Sequence, residues 1–165
     1  MTIFLLLFLS FSTISASSTY LIPDDTRLVL YKLKRDFKKA QQIDISTNEL
    51  SSKKIFRMLV KALNRKDVNI NIILDPNKYS LISNLSIYKG INIRTLSGIR
   101  DSEMNLNFIL IDNLVLYIFS NGFSKIALNQ SYGVALRIED IRTIKNFRRI
   151  FNILNKRSSI VKNLR

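Results

Sequence analysis

Three short β-branched stretches, QIDIST (Gln42–Thr47), VNINIILD (Val68–Asp75) and INIRTL (Ile91–Leu96), are separated by segments long enough for a helix. This alternation constrains the fold more than any other feature of the chain. Before the first of them, Thr26–Lys39 keeps Leu30, Leu33 and Phe37 on one helical face and turns a strongly basic face outward. Between the first two, Ser51 or Ser52 supplies an N-cap for a helix through Asn64, with Ile55, Phe56, Leu59, Val60 and Leu63 along one side. Pro76 ends the second strand, and Tyr79–Tyr88 is predicted helical with Gly90 as its C′ residue. Strands joined through helices pair in parallel, so the pattern predicts an α/β domain with a mixed, mostly parallel sheet flanked by helices on both faces.

The second half continues with further strands and a final helix. Phe108–Ile111 and Val115–Phe119 read as strands broken at Asp112 and Asn113, and a further strand is expected near Val134–Ile138. A helix from Ile141 to about Asn155 carries the apolar stripe Ile144, Phe147, Ile150, Phe151 and Leu154. At 165 residues the chain holds one domain, placed at residues 24–157. Residues 158–165 are a basic tail, expected to fray.

Residues 1–18 read as a signal peptide. The apolar core Ile3–Phe11 is too short to span a bilayer, and cleavage after Ser17 or Ser18 puts small residues at the flanking positions. The expectation is an exported protein, periplasmic or secreted, with an uncleaved membrane anchor as the alternative. The charge of +14 favours polyanionic partners, nucleic acid or an anionic membrane surface, against a basic surface that serves solubility alone. The sequence has no cysteine and no histidine. That removes thiolate chemistry, zinc sites of Cys/His type and histidine nucleophiles. No Gly-rich phosphate loop or G-x-S-x-G elbow occurs either, so no metal and no cofactor is expected.

The order of elements resembles the phospholipase D superfamily, in its small single-motif bacterial endonuclease branch, over about Arg27–Leu154. The resemblance rests on the helix and strand SSKKIFRMLVKALNRKDVNINIILD, on KGINIRTL, and on NLNFILID followed by FSNG. Aligned with the family motif H-x-K-x4-D, Asn105 stands at the histidine, Asn107 at the lysine, and Asp112 at the aspartate. In the G-S-x-N segment that follows, Phe119 stands at the glycine, Ser120 is kept, and Gly122 replaces the asparagine. Gly133 falls at a position where these proteins carry a glutamate. The family's chemistry is phosphodiester hydrolysis through a phosphohistidine, with two motifs meeting in one site and single-motif members supplying the second by homodimerisation.

An asparagine amide is neither a nucleophile nor a proton acceptor near neutral pH. The resemblance therefore implies an inactive phospholipase D-like protein with a degenerate motif. As a homodimer it would bind nucleic acid or anionic phospholipid head groups, with a membrane surface as a further partner. The alternatives are an active phosphodiesterase using Asp112 or Ser120 with water, and a half-site partner of an active relative. Each position also has a plainer reading. Asp112 suits a turn, Ser120 a strand end, and Asn105 and Asn107 neutral drift; at one strand's site-facing end the two asparagines would point to the same side. Tyr117 and Tyr132 are either base-stacking groups or ordinary packing. The clusters Lys32–Lys39 and Lys145–Arg157 serve a phosphate cleft only if they lie on the same side of it.

Overall fold

The computed structural model describes residues 16–65, 67–75, 85, 87–96 and 104–160. The chain begins with β1 (Ser17–Ile22), α1 (Thr26–Lys39), β2 (Gln42–Thr47) and α2 (Lys53–Leu63). Then come β3 (Asn69–Leu74), β4 (Ile91–Leu96), β5 (Asn107–Ile111) and β6 (Val115–Phe119). The short α3 (Lys125–Asn129), β7 (Gly133–Ile138), α4 (Ile141–Arg157) and β8 (Ser158–Ile160) complete it. The strands form one sheet in the order β1-β7-β6-β5-β2-β3-β4-β8.

Alternation along the strands divides the apolar side chains between two cores. Ile43, Ile45, Ile70, Ile72, Ile109 and Ile111 face α1 and α2, where they meet Val29, Leu33, Phe37, Ile55 and Leu59. Ile73, Phe108, Leu110 and Leu116 face the other way, onto Ile144 and Phe151 of α4. Phe108 meets Phe147 edge-on at 5.1 Å between ring centroids. The helical stripes read from the sequence are the faces that pack, and helices do lie on both faces. The sheet is mixed, as expected, but among the described strands antiparallel pairings outnumber parallel ones. Parallel pairing is confined to β2–β3 and β3–β4, where strands are joined through long connections. The other pairings are antiparallel; of these, β5–β6 is a hairpin closed by the turn at Asp112 and Asn113.

Both outer strands lie where the sequence reading placed none. β1 pairs with β7 in register from Ser17↔Ile138 to Ile22↔Gly133, burying Tyr20 and Ile22. The expected cleavage positions, Ser17 and Ser18, are its first two residues; residues 1–15 lie outside the described residues, as does most of the predicted helix Tyr79–Tyr88. Gly90 has φ +84°. Ser158–Ile160, assigned to the frayed tail, is a strand paired with β4. Arg94 secures it, donating from Nε to Ser158 Oγ at 2.8 Å and from a terminal nitrogen to the Ser158 carbonyl at 2.6 Å. At the start of α4, hydrogen bonds from the Thr143 hydroxyl and N–H hold the Asp140 carboxyl below its ordinary range.

Polar side chains on the α4 face of the parallel strands are in register and bonded to one another. Asp44, Asn71 and Asn92 line up across β2, β3 and β4. Asn92 donates to Asn71 at 3.0 Å and Asn71 to Asp44 at 2.6 Å. Asp44 is wholly buried and ion-paired with Arg148 of α4, whose Nε reaches Asn113 at 2.5 Å. Removing one member of a buried pair leaves an uncompensated charge. Arg148→Ala is expected to lower unfolding stability by about 3–5 kcal/mol in urea titrations, whereas Asp44→Leu/Arg148→Leu recovers much of that loss. Equal losses in both variants would contradict the pairing.

Candidate functional site

At one end of the sheet, β2 and β6 finish and β5 and β7 begin. The segment Asn48–Ser52, leading from β2 into α2, docks on the segment after β6. Phe123 N–H donates to the Glu49 carbonyl at 2.8 Å, and the Phe123 carbonyl accepts from Ser51 and Ser52 at 3.1 and 2.8 Å. Phe119 and Phe123 meet edge-on at 4.9 Å beneath. The polar groups of this end are gathered over that aromatic base.

Asn107 is buried among them, at 5% exposure. Its Oδ1 accepts from the Thr47 hydroxyl at 2.9 Å and from the Asn48 N–H at 3.1 Å. The Asn107 carbonyl oxygen is thus committed to the β2 terminus, and its amide nitrogen has no partner among the described residues. Asn105 precedes β5 and is exposed, so the two asparagines do not form the paired strand face that their i, i+2 spacing suggests. Ser120 is tied to β7: its Oγ accepts from the Val134 N–H at 2.9 Å, and its own N–H donates to the Val134 carbonyl at 2.9 Å.

Both glycines of this region are in contact with side chains. A Cβ on Gly122 would lie 2.2 Å from Asn48 Oδ1, which is itself buried without a hydrogen bond among the described residues. On Gly133 it would lie 2.6 Å from both Ser120 Oγ and Asn121 Nδ2. A side chain at position 133 would have to displace both Ser120 and Asn121, and one at 122 would have to displace Asn48.

Asp112 is elsewhere. It lies at the opposite end of β5, roughly 16 Å from Asn107 at about 3.3 Å per strand residue. There its Oδ1 accepts from the backbone N–H groups of Gln41 and Gln42 at 2.9 and 2.6 Å. Asp112 and Asn113 both have positive φ, 49° and 54°, in a turn closed by Leu114 N–H on the Ile111 carbonyl. The structure brings together Asn107, Ser120, Gly122 and Gly133, leaves Asn105 at their rim, and puts Asp112 in the turn that joins β5 to β6.

The sequence reading missed Thr47 and Asn48, the groups that hold Asn107. Their signal was the polar run Ser46–Asn48 at the end of the alternating strand QIDIST. Beside them opens a cleft of about 380 Å3 lined by Ser51, Ser52, Lys53, Lys54, Lys125 and Asn129; among the described residues its lining holds no acidic side chain, though the Glu49 carboxylate accepts from the Ser51 hydroxyl. The first turn of α2 likewise holds no acidic residue. This end of the molecule can donate hydrogen bonds and supply positive potential. Its grouped polar side chains include no activated nucleophile and no imidazole, in a sequence without histidine.

The two tyrosines have opposite environments. Tyr132 is 83% exposed beside Asn121, whereas Tyr117 is fully buried and closed to any base. The Tyr117 hydroxyl donates to Asp36 at 2.7 Å, and Arg137 Nε lies 3.0 Å from the same carboxylate. Burial and then the Asp36 carboxylate push the Tyr117 phenol far above its ordinary value. Burial opposes the Arg137 charge, but Asp36 and Glu139 outweigh it and hold the guanidinium protonated. The two basic clusters lie on opposite faces of the sheet, Lys32–Lys39 on α1 and Lys145–Arg157 on α4, so one chain cannot present them to a single groove.

Because the folded Tyr117 keeps its proton where an unfolded tyrosine loses it, its contribution is complete below pH 10 and declines above it. Stability should fall more steeply between about pH 10 and 11 in the parent than in Tyr117→Phe, by up to roughly 1.4 kcal/mol per pH unit. Parallel curves in denaturant titrations would show that the phenol ionises freely in the fold.

Comparison with known proteins places this architecture. The family described as "Cardiolipin synthase, PLD-like domain" matches residues 33–154. No curated protein matches the sequence. Among solved structures, the chain is similar to NucT from Helicobacter pylori, at 22% identity and a TM-score of 0.79, covering 89% of this chain and 99% of that one. It is similar to the phospholipase D family member Nuc from Salmonella typhimurium at 18% identity and 0.74, over 90% and 99% of the two chains. TrmBL2, an archaeal chromatin protein whose structure "shows a novel mode of DNA binding", aligns at 18% identity and 0.63, over 91% of this chain and 56% of that one.

Proposed function

The chain belongs to the phospholipase D-like family, and on that premise we propose that it keeps the phosphodiesterase fold without phosphodiester cleavage and binds the phosphate backbone of nucleic acid. One observation carries the reading. Asn107, at the position the family motif gives to lysine, spends its carbonyl oxygen on Thr47 and Asn48, in a sequence with no histidine to attack phosphorus. Transition-state stabilisation needs charge aimed at the phosphoryl oxygens and a nucleophile beside them, and this end offers a neutral amide.

What favours binding is the cleft alongside. Lys53, Lys54 and Lys125 surround it, outnumbering the one carboxylate beside it, Glu49, which accepts from the Ser51 hydroxyl; the α2 N-terminus opens toward it, and exposed Tyr132 stands on the same sheet end. TrmBL2, described as binding DNA, has the same fold. Homodimerisation would place two such ends together and double the positive potential. Anionic phospholipid head groups are the second reading, favoured by the phosphate-compatible cleft and the net charge of +14. Export remains part of the proposal: a cut after Ser17 or Ser18 leaves Thr19–Ile22 paired with β7.

Binding of a fluorescent oligonucleotide should weaken with salt, with a slope of log Kobs against log salt of about −0.9 per phosphate on duplex DNA and −0.7 on single strands. Lys54→Glu/Lys125→Glu should weaken binding at least about tenfold and make the slope shallower by about 2. No binding at 50 mM salt, or an unchanged slope in the variant, would refute this site. Binding only to anionic vesicles would transfer the cleft to phospholipid head groups.

A further inference from the structure

A second concave surface lies at the far end of α2. The helix runs about 16 Å from the Asn48–Ser52 segment, and near its carboxyl end it forms a groove with the last turns of α1. The groove measures about 360 Å3, within the range of small-ligand sites, and is lined by Lys34, Phe37, Lys38, Met58, Lys61, Ala62 and Arg65. Among the described residues the lining contains four cations and no acidic residue. Phe37 and Ala62 are buried and close its floor, and Met58 is half-buried at its wall. Lys34, Lys38 and Lys61 are exposed, so their methylene stems extend the apolar wall while their ammonium groups reach water.

Arg65 fixes the end of the groove. One terminal nitrogen donates to the Phe37 and Ala40 carbonyls at 2.5 and 3.3 Å, at the carboxyl end of α1. Its Nε is buried and has no hydrogen-bond partner among the described residues. This cation is therefore held in place by neutral carbonyls beside three exposed lysines, its Nε unused among the described residues. Phosphate alone would gain nothing from Phe37 and Met58, and a neutral hydrocarbon nothing from four cations. A molecule carrying both an alkyl chain and an anionic head uses the whole surface.

We propose that the groove between the carboxyl ends of α1 and α2 binds a single-chain anionic amphiphile, an alkyl carboxylate or alkyl phosphate, with its chain along Phe37, Met58 and Ala62 and its head among Lys34, Lys38 and Lys61. The site is distinct from the Asn107 end and does not rest on nucleic-acid binding there. The occupant is a free monomer, because a groove narrowed between two helices suits one chain better than a flat bilayer.

The test is isothermal titration calorimetry of the full-length protein with decanoate, decyl phosphate and decyltrimethylammonium, each below its micellar concentration. The two anions should bind saturably at or below about 1 mM, and the cation of equal chain length should not. Lys34→Glu/Lys38→Glu/Lys61→Glu should weaken the anions at least about tenfold. Met58→Gln, which leaves the charges in place, should weaken them severalfold, and both variants should retain the parent's circular dichroism. Equal binding of the cation, unchanged affinity in the charge-reversed variant, or binding to anionic vesicles without binding of the monomers would each overturn the proposal. Lys54→Glu/Lys125→Glu should leave amphiphile binding unchanged, which separates this groove from the cleft at the other end.

Discussion

The sheet is covered on both faces, and everything polar in this molecule answers to that. β2 and β5 lie at its centre with helices above and below, and β5 is buried along its entire length. In such strands an unpaired polar group costs its full desolvation. Asp44 is therefore locked by Arg148, Asn71 and Gln42, and Asn107 is held by Thr47 and Asn48. Chemistry directed outward has to sit at the strand ends, where the cover stops.

The two ends have been put to different uses. At one, Asp112 closes the β5–β6 turn onto the start of β2, and the carboxyl ends of α1 and α2 enclose an apolar groove with a basic rim. At the other, the strand termini gather short neutral side chains over Phe119 and Phe123 beside a lysine-lined cleft. Gly122 and Gly133 belong to this second arrangement, since side chains there would displace Asn48, Ser120 and Asn121. The neutral cluster is packed as a unit rather than left as an opening.

Much of the centre was legible because periodicity reports burial directly. β2 and β4 and the packing faces of α1, α2 and α4 follow from apolar spacing. Pairing direction was less legible: alternation of strand and helix suggested a mostly parallel sheet, while the tight turn after Ile111 makes β5 and β6 antiparallel, and β7 is antiparallel to β6 although α3 lies between them. The edges were hidden for a different reason. β1 gains its burial only from β7, and β8 depends on Arg94, a residue about sixty positions away. At the site, the spacing of Asn105, Asn107 and Asp112 suggested one constellation. A five-residue strand separates its members by its own length, and only the fold shows that Thr47 and Asn48 take up the Asn107 oxygen.

The central claim is a phospholipase D-like frame without cleavage chemistry, and its most direct measurement is phosphodiesterase activity on bis(p-nitrophenyl) phosphate, with chelator present, beside the variant Asn105→His/Asn107→Lys. The account predicts no turnover above background in the parent, whose sequence has no histidine. Turnover by the purified parent that co-elutes with the protein and is abolished by Ser120→Ala would contradict it, and would assign to the neutral cluster a hydrolytic role that its hydrogen bonding does not suggest.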